Sequence, residues 1–138
     1  MMKPLHALSL ALGITLLIAC GGPVELIPGA FALPGGKLSG DEGAASSWDE
    51  VAAGCSVMDL ETRPKDPYSV RIGFVLRDGN LYIDPAEGRR WYLHLETNPS
   101  VRVRFEATVY RARAIEVTDP RELTGFDSER HVFRLELE

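Results

Sequence analysis

Tyr68-Ser69-Val70-Arg71-Ile72-Gly73-Phe74-Val75-Leu76-Arg77-Asp78-Gly79-Asn80-Leu81-Tyr82-Ile83-Asp84 reads as a β-hairpin. Val70, Ile72, Phe74 and Leu76 recur at period two, the pattern of a strand with one buried face. Asp78-Gly79 is a favoured two-residue hairpin turn, because both residues accept positive φ. The chain then returns with Leu81 and Ile83 on one face and Tyr82 on the other. Asp84-Pro85-Ala86-Glu87-Gly88 is a loop, and residues 89–98 predict a short amphipathic helix with Trp91, Leu95 and Tyr92 near one face. Asn98-Pro99 ends it.

Outward from this unit, β patterns dominate. Val101, Val103 and Phe105 alternate with Arg102, Arg104 and Glu106, a half-buried strand. The next strand sets Val109, Arg111, Arg113 and Ile115 on one parity and Tyr110, Ala112, Ala114 and Glu116 on the other. Such a mixed pattern suits a site, an interface or a bulge. Upstream, residues 55–62 predict a strand, and the prolines of Arg63-Pro64-Lys65-Asp66-Pro67 make a loop because they lack amide donors. Downstream, Thr118-Asp119-Pro120-Arg121-Glu122 has the cap, proline and early acid of a helix entrance, and Gly125 stops it soon. Residues 131–138 predict a closing strand that buries Phe133, Leu135 and Leu137. Six strands and two short helices imply a mainly β, antiparallel barrel or sandwich.

The N-terminus reads as a targeting segment. Lys3 is followed by an apolar run over residues 8–19, too short to span a bilayer, where about 20 apolar residues are needed. Leu17, Ala19 and Cys20 resemble the lipobox of bacterial lipoproteins, and the resemblance implies a signal peptide over residues 1–19 with Cys20 as the lipidated first residue. The expected location is the bacterial cell envelope, with the protein anchored by acyl chains to a membrane surface outside the cytoplasm. Residues 20–47, rich in Gly and Pro, form a tether or arm, and Leu33 and Leu38 around Gly35-Gly36 could hold part of it on the domain surface. The barrel domain is assigned to residues 48–138. Only Cys20 and Cys55 are present, so lipidation of the first leaves Cys55 as a small buried residue with no disulfide expected.

Composition narrows the chemistry. With 138 residues, 45% hydrophobic and 25% charged, one globular domain is expected. A net charge of −5 argues against a nucleic-acid partner, which calls for a basic face. His94 and His131 lie far apart with no HExxH motif, against a catalytic zinc site. No Gly-Xaa-Ser-Xaa-Gly elbow is present. Catalytic residues are not assigned.

The motif order then resembles the FMN-binding split β-barrels of the pyridoxamine-phosphate oxidase-like group and its deazaflavin-dependent nitroreductase-like relatives. The residues that carry the resemblance are Leu81-Tyr82-Ile83, Gly88-Arg89-Arg90-Trp91, Leu95-Glu96-Thr97-Asn98-Pro99, Val101-Arg102-Val103 and Tyr110-Arg111-Ala112-Arg113-Ala114. It implies a six-stranded antiparallel split barrel with two short helices, and a homodimer. It also implies that Arg89 and Arg90 hold a phosphate, that Ser69 and Arg71 assist, and that Trp91 and Tyr82 wall the pocket. Physics agrees on the arginines, since a guanidinium fork matches phosphate oxygens and a helix N-terminus favours anions. FMN or a deazaflavin is the implied cofactor, and reduction of a small acceptor the implied activity. A barrel without cofactor, serving as a binding module in an envelope lipoprotein, stays open beside it. The short segment at residues 119–129 and the lack of an extended C-terminal closing motif depart from the oxidase proper, so pyridoxamine-phosphate oxidation is not expected.

Overall fold

The computed structural model describes residues 34–138. The expected signal peptide and the expected lipidation of Cys20 lie outside the described residues. The elements are β1 (Asp41–Glu42), α1 (Trp48–Ala52), β2 (Val57–Thr62), β3 (Tyr68–Gly73), β4 (Val75–Arg77), β5 (Asn80–Ile83), α2 (Arg90–Thr97), β6 (Ser100–Phe105), β7 (Thr108–Glu116) and β8 (Phe133–Leu137). Strand order is β3-β2-β6-β7-β8-β5-β4, and the β1 pair lies beside β7.

The run expected as one strand over residues 68–77 is divided at Phe74. Its first part pairs with β2 and its second with β5, at opposite ends of the strand order. One stretch of chain thus joins both ends, and the sheet curls into a barrel. The Asp78-Gly79 turn forms as the sequence predicts, with φ of 52° and 77° at its two residues.

The inner face explains the alternation. Met58 and Leu60 of β2, Leu81 and Ile83 of β5, Val101, Val103 and Phe105 of β6, and Leu135 of β8 are buried in one core. Complete burial of such a side chain stabilises by roughly 1.5–3 kcal/mol. Trp48 of α1 plugs this core, with its Nε1–H donating to the Leu135 carbonyl at 2.6 Å. The mixed parity of β7 also resolves. Tyr110, Ala112 and Ala114 pack with the core, whereas Val109 is buried outside that cluster, where Gly40 of the arm approaches its side chain.

That arm covers a charged outer face. Asp59 and Glu61 of β2 are 1% and 2% exposed. Asp59 accepts from Arg71 Nε at 3.2 Å and from Arg104 Nη2 at 3.0 Å. Glu61 accepts from Arg102 Nη1 at 3.0 Å and from the Leu38 amide at 2.6 Å. The cross-strand register places each acid beside its arginine on β6. Leu38, 3% exposed, is the arm's apolar anchor.

Two expectations are corrected. Residues 119–129 form turns rather than a helix. Arg77 accounts for the stop: its guanidinium takes the carbonyls of Glu122 and Thr124. Those groups are then diverted from helical bonds. The second short helix is instead α1, a segment too short to classify from its pattern. Cys55, expected to have no disulfide, is disulfide-bonded. The only other cysteine in the sequence, Cys20, lies outside the described residues. A sulfur that carries a lipid thioether cannot also form a disulfide, so these are exclusive chemical states.

Candidate functional site

The site is built by the loop between β5 and α2. Pro85 is fully buried and its carbonyl accepts from the His131 amide at 3.3 Å, which pins the loop to the start of the last strand. Gly88 at φ 82° makes the reversal into the helix, a conformation that costs other residues more. Arg89 occupies the N-cap with no side-chain cap hydrogen bond. Its carbonyl accepts the Leu93 amide at 3.2 Å, so the amides of Arg90, Trp91 and Tyr92 precede the first helical bond. No acidic residue lies in the first turn. Tyr92 and Leu95 bury the opposite face of the helix.

In front of this helix start is an open cleft of about 840 Å3. One wall is β3, with Tyr68, Val70 and Ile72. The other is the helix entrance, with Gly88, Arg89, Arg90 and Trp91. Arg71 lines it too, with its Nε held by buried Asp59. Among the described residues, the guanidinium groups of Arg89 and Arg90 make no hydrogen bond or ion pair, including with Asp84 or Glu87. The cleft therefore combines an apolar and aromatic wall with the cations of Arg89 and Arg90, which have no protein counter-ion among the described residues.

Arg89, Arg90 and Trp91 are brought together, Arg71 borders the cleft along β3 with its Nε turned to Asp59, and two other candidates lie elsewhere. Ser69 is 3% exposed and is bridged to Gly35 of the arm by a pair of 2.8 Å backbone hydrogen bonds. Tyr82 packs with Val117 and Val132, donates to Glu122 Oε1 at 2.8 Å, and does not line this cleft. Alternation accounts for both, since Ser69 points opposite to Tyr68 and Val70, and Tyr82 opposite to Leu81 and Ile83. Tyr68, Val70, Ile72 and Arg130 line the cleft and were not singled out by sequence. For the first three the signal was available in the strand parity. For Arg130 there was none, because its position follows from the turn that the preceding segment makes.

Behind the cleft, His94 shares a 2.8 Å hydrogen bond between Nδ1 and Thr62 Oγ1 and meets the Tyr68 ring edge-on at 5.1 Å. Burial pushes its pKa below the ordinary value, and the positive charges of Arg63 and Arg90 lower it further. Across α2, Tyr92 donates to Glu96 at 2.8 Å and stacks on His131 at 4.3 Å. That hydrogen bond to a carboxylate, with burial, pushes the Tyr92 hydroxyl up to about 12. A smaller cleft of about 360 Å3 beneath the arm is lined by Lys37, Glu42, Glu61, Arg102 and Arg111. Its central cation, Arg102, is already held by Glu42 at 2.8 Å and Glu61 at 3.0 Å, which leaves a closed ion network.

Among solved structures, the chain is similar to a pyridoxamine 5′-phosphate oxidase-type protein from Listeria innocua. The TM-score is 0.54 at 17% identity, over 64% of this chain and 89% of that one. The fold is the pyridoxamine 5′-phosphate oxidase-like split β-barrel. This split barrel is also similar to a FAD-binding protein from Mesorhizobium loti, with a TM-score of 0.51 at 18% identity over 64% of this chain and 86% of that one. No protein-family model and no curated protein matches its sequence.

Proposed function

We propose that this split barrel binds a flavin-like, phosphate-bearing ligand in the cleft between β3 and the start of α2. The observation that carries the reading is the pair Arg89 and Arg90, whose cations have no protein partner among the described residues and open a helix beside an apolar and aromatic wall. Phosphate oxygens suit guanidinium forks and free helical amides, and a planar ring suits Tyr68, Val70, Ile72 and Trp91. The residues thus fit a flavin phosphate ester, and the likeness to a pyridoxamine 5′-phosphate oxidase-type protein and a FAD-binding protein supports the same ligand class. A bound flavin would itself carry the electrons for reduction of a small acceptor, and this chain would supply binding and orientation.

The deciding experiment mixes the full chain with FMN, a deazaflavin or haem and follows ligand absorbance and fluorescence. Saturable binding of FMN or the deazaflavin, weakened at least about tenfold by Arg89→Gln/Arg90→Gln, is expected. Failure of all three to bind, or binding indifferent to the double substitution, overturns the reading. Acceptor reduction by the flavin-loaded protein separates a reductase from a binding module without activity. Two further parts of the proposal are a lipid anchor on Cys20 and a homodimer. Intact mass of protein extracted from membranes, before and after thiol reduction, distinguishes an acylated Cys20 from a disulfide. Light scattering reads the mass of the assembly.

A further inference from the structure

We infer that the cleft takes a ligand with a diphosphate rather than a single phosphate, and that Arg130 is the residue that holds the second group; this rests on the phosphate-binding reading above. The charged residues that line the cleft are Arg71, Arg89, Arg90 and Arg130 against a single acid, Asp84. One phosphate has three free oxygens, and about two guanidinium forks occupy them. Arg71 is paired with Asp59, and the remaining three arginines around one opening still exceed that need, since unneutralised cations raise each other's electrostatic energy.

Arg130 differs from the other three in origin. It arrives from the turns that precede β8, where its amide donates to the Asp127 carbonyl at 3.0 Å. Its Nη1 donates to the Asp84 carbonyl at 3.1 Å, which ties it to the loop that carries Arg89. That bond uses one of the five N–H donors of the guanidinium and leaves the rest for a ligand. Its backbone partner keeps the side chain beside the cleft without neutralising it. Arg71 is restrained as well, because Asp59 takes its Nε and balances part of its charge. Arg89 and Arg90 therefore serve the first phosphate at the helix start, and Arg130 the second at the Asp84 side.

The test titrates the full chain with inorganic phosphate and with pyrophosphate by calorimetry, at one fixed ionic strength, for the wild type, Arg130→Ala and Arg130→Lys. Pyrophosphate is expected to bind at least about tenfold more tightly than phosphate. Arg130→Ala should remove most of that difference and leave phosphate within about twofold, and Arg130→Lys should restore it only in part, because an ammonium lacks the fork. FAD should lose more affinity than FMN in the same variant. Equal binding of phosphate and pyrophosphate, or an Arg130→Ala variant that weakens both alike, overturns the diphosphate inference and leaves the monophosphate site standing. Absence of binding by either anion, and by FMN, overturns the site itself.

Discussion

Substitution of Asp59 by alanine tests how the barrel tolerates charge inside its covered outer face. Asp59 is 1% exposed and joins β3 to β6 through Arg71 and Arg104. Three hydrogen bonds converge on it, at 3.2 Å from Arg71 Nε and at 3.2 and 3.0 Å from Arg104 Nε and Nη2. Hydrogen bonds to charged groups contribute about 1.5–3 kcal/mol each, but the simple sum overstates the loss. The side chains of Arg71 and Arg104 are 19% and 14% exposed and can regain water, and Arg104 also donates to the Ser39 carbonyl at 2.9 Å. Removal of one member of a buried pair costs about 3–5 kcal/mol, and this partial access to solvent puts Asp59→Ala near 3 kcal/mol. At about 4 °C per kcal/mol for a domain of this size, the thermal midpoint should fall by roughly 12 °C. Urea denaturation followed by circular dichroism measures the free-energy loss and a temperature scan the midpoint, with Arg104→Ala and Arg71→Ala as companions. The expected order of damage is Asp59, then Arg104, then Arg71, following the bonds each loses. A loss below about 1 kcal/mol for Asp59→Ala, the range of an exposed pair, would refute the claim that this acid is a structural hub.

His94 has a pKa below the ordinary 6.5, so between that value and its folded pKa the unfolded chain binds a proton that the folded chain does not. Its contribution to stability is full above pH 6.5 and falls as the pH drops, and His94→Gln should remove that part of the slope in urea midpoints. Phosphate bound at Arg90 should raise the His94 pKa by neutralising one of its depressing charges, which NMR titration of the imidazole would read. Gly40→Ala should loosen the arm, because φ there is 148° and an added Cβ would sit 2.5 Å from the Ala107 carbonyl oxygen. A loss of about 1–3 kcal/mol and faster proteolysis within residues 34–43 are expected, and unchanged cleavage would count against the arm's attachment. Tyr92, held near 12, should stay protonated in an ultraviolet titration stopped at pH 11, so Tyr92→Phe should leave that titration unchanged, whereas Tyr82, raised by burial and its hydrogen bond to Glu122, should titrate late within it.

The sequence by itself carried the strand positions, the Asp78-Gly79 turn and the helix that starts beside Arg89 and Arg90. Those features are local: period-two alternation, a turn that needs positive φ, and a proline stop act through near neighbours in the chain. The same locality kept Arg89, Arg90 and Trp91 within one stretch, and the fold brings them to one cleft, with Arg71 at its β3 edge held by Asp59. Locality also set the limits. The break at Phe74 depends on which distant strands pair on each side of it, and no residue there announces a change of partner. Residues 119–129 have the composition of a helix entrance, but Arg77, more than forty positions away, takes their carbonyls. Tyr82 and Ser69 left the candidate set because strand parity turns them away from the cleft, while Arg130 joined it through a bond to the Asp84 carbonyl. Sequence determined the strands and the helix after Gly88, because their signals are short-range. Tertiary structure alone decided which strand ends meet, which charges are already paired, and which arginines are left facing an open cleft.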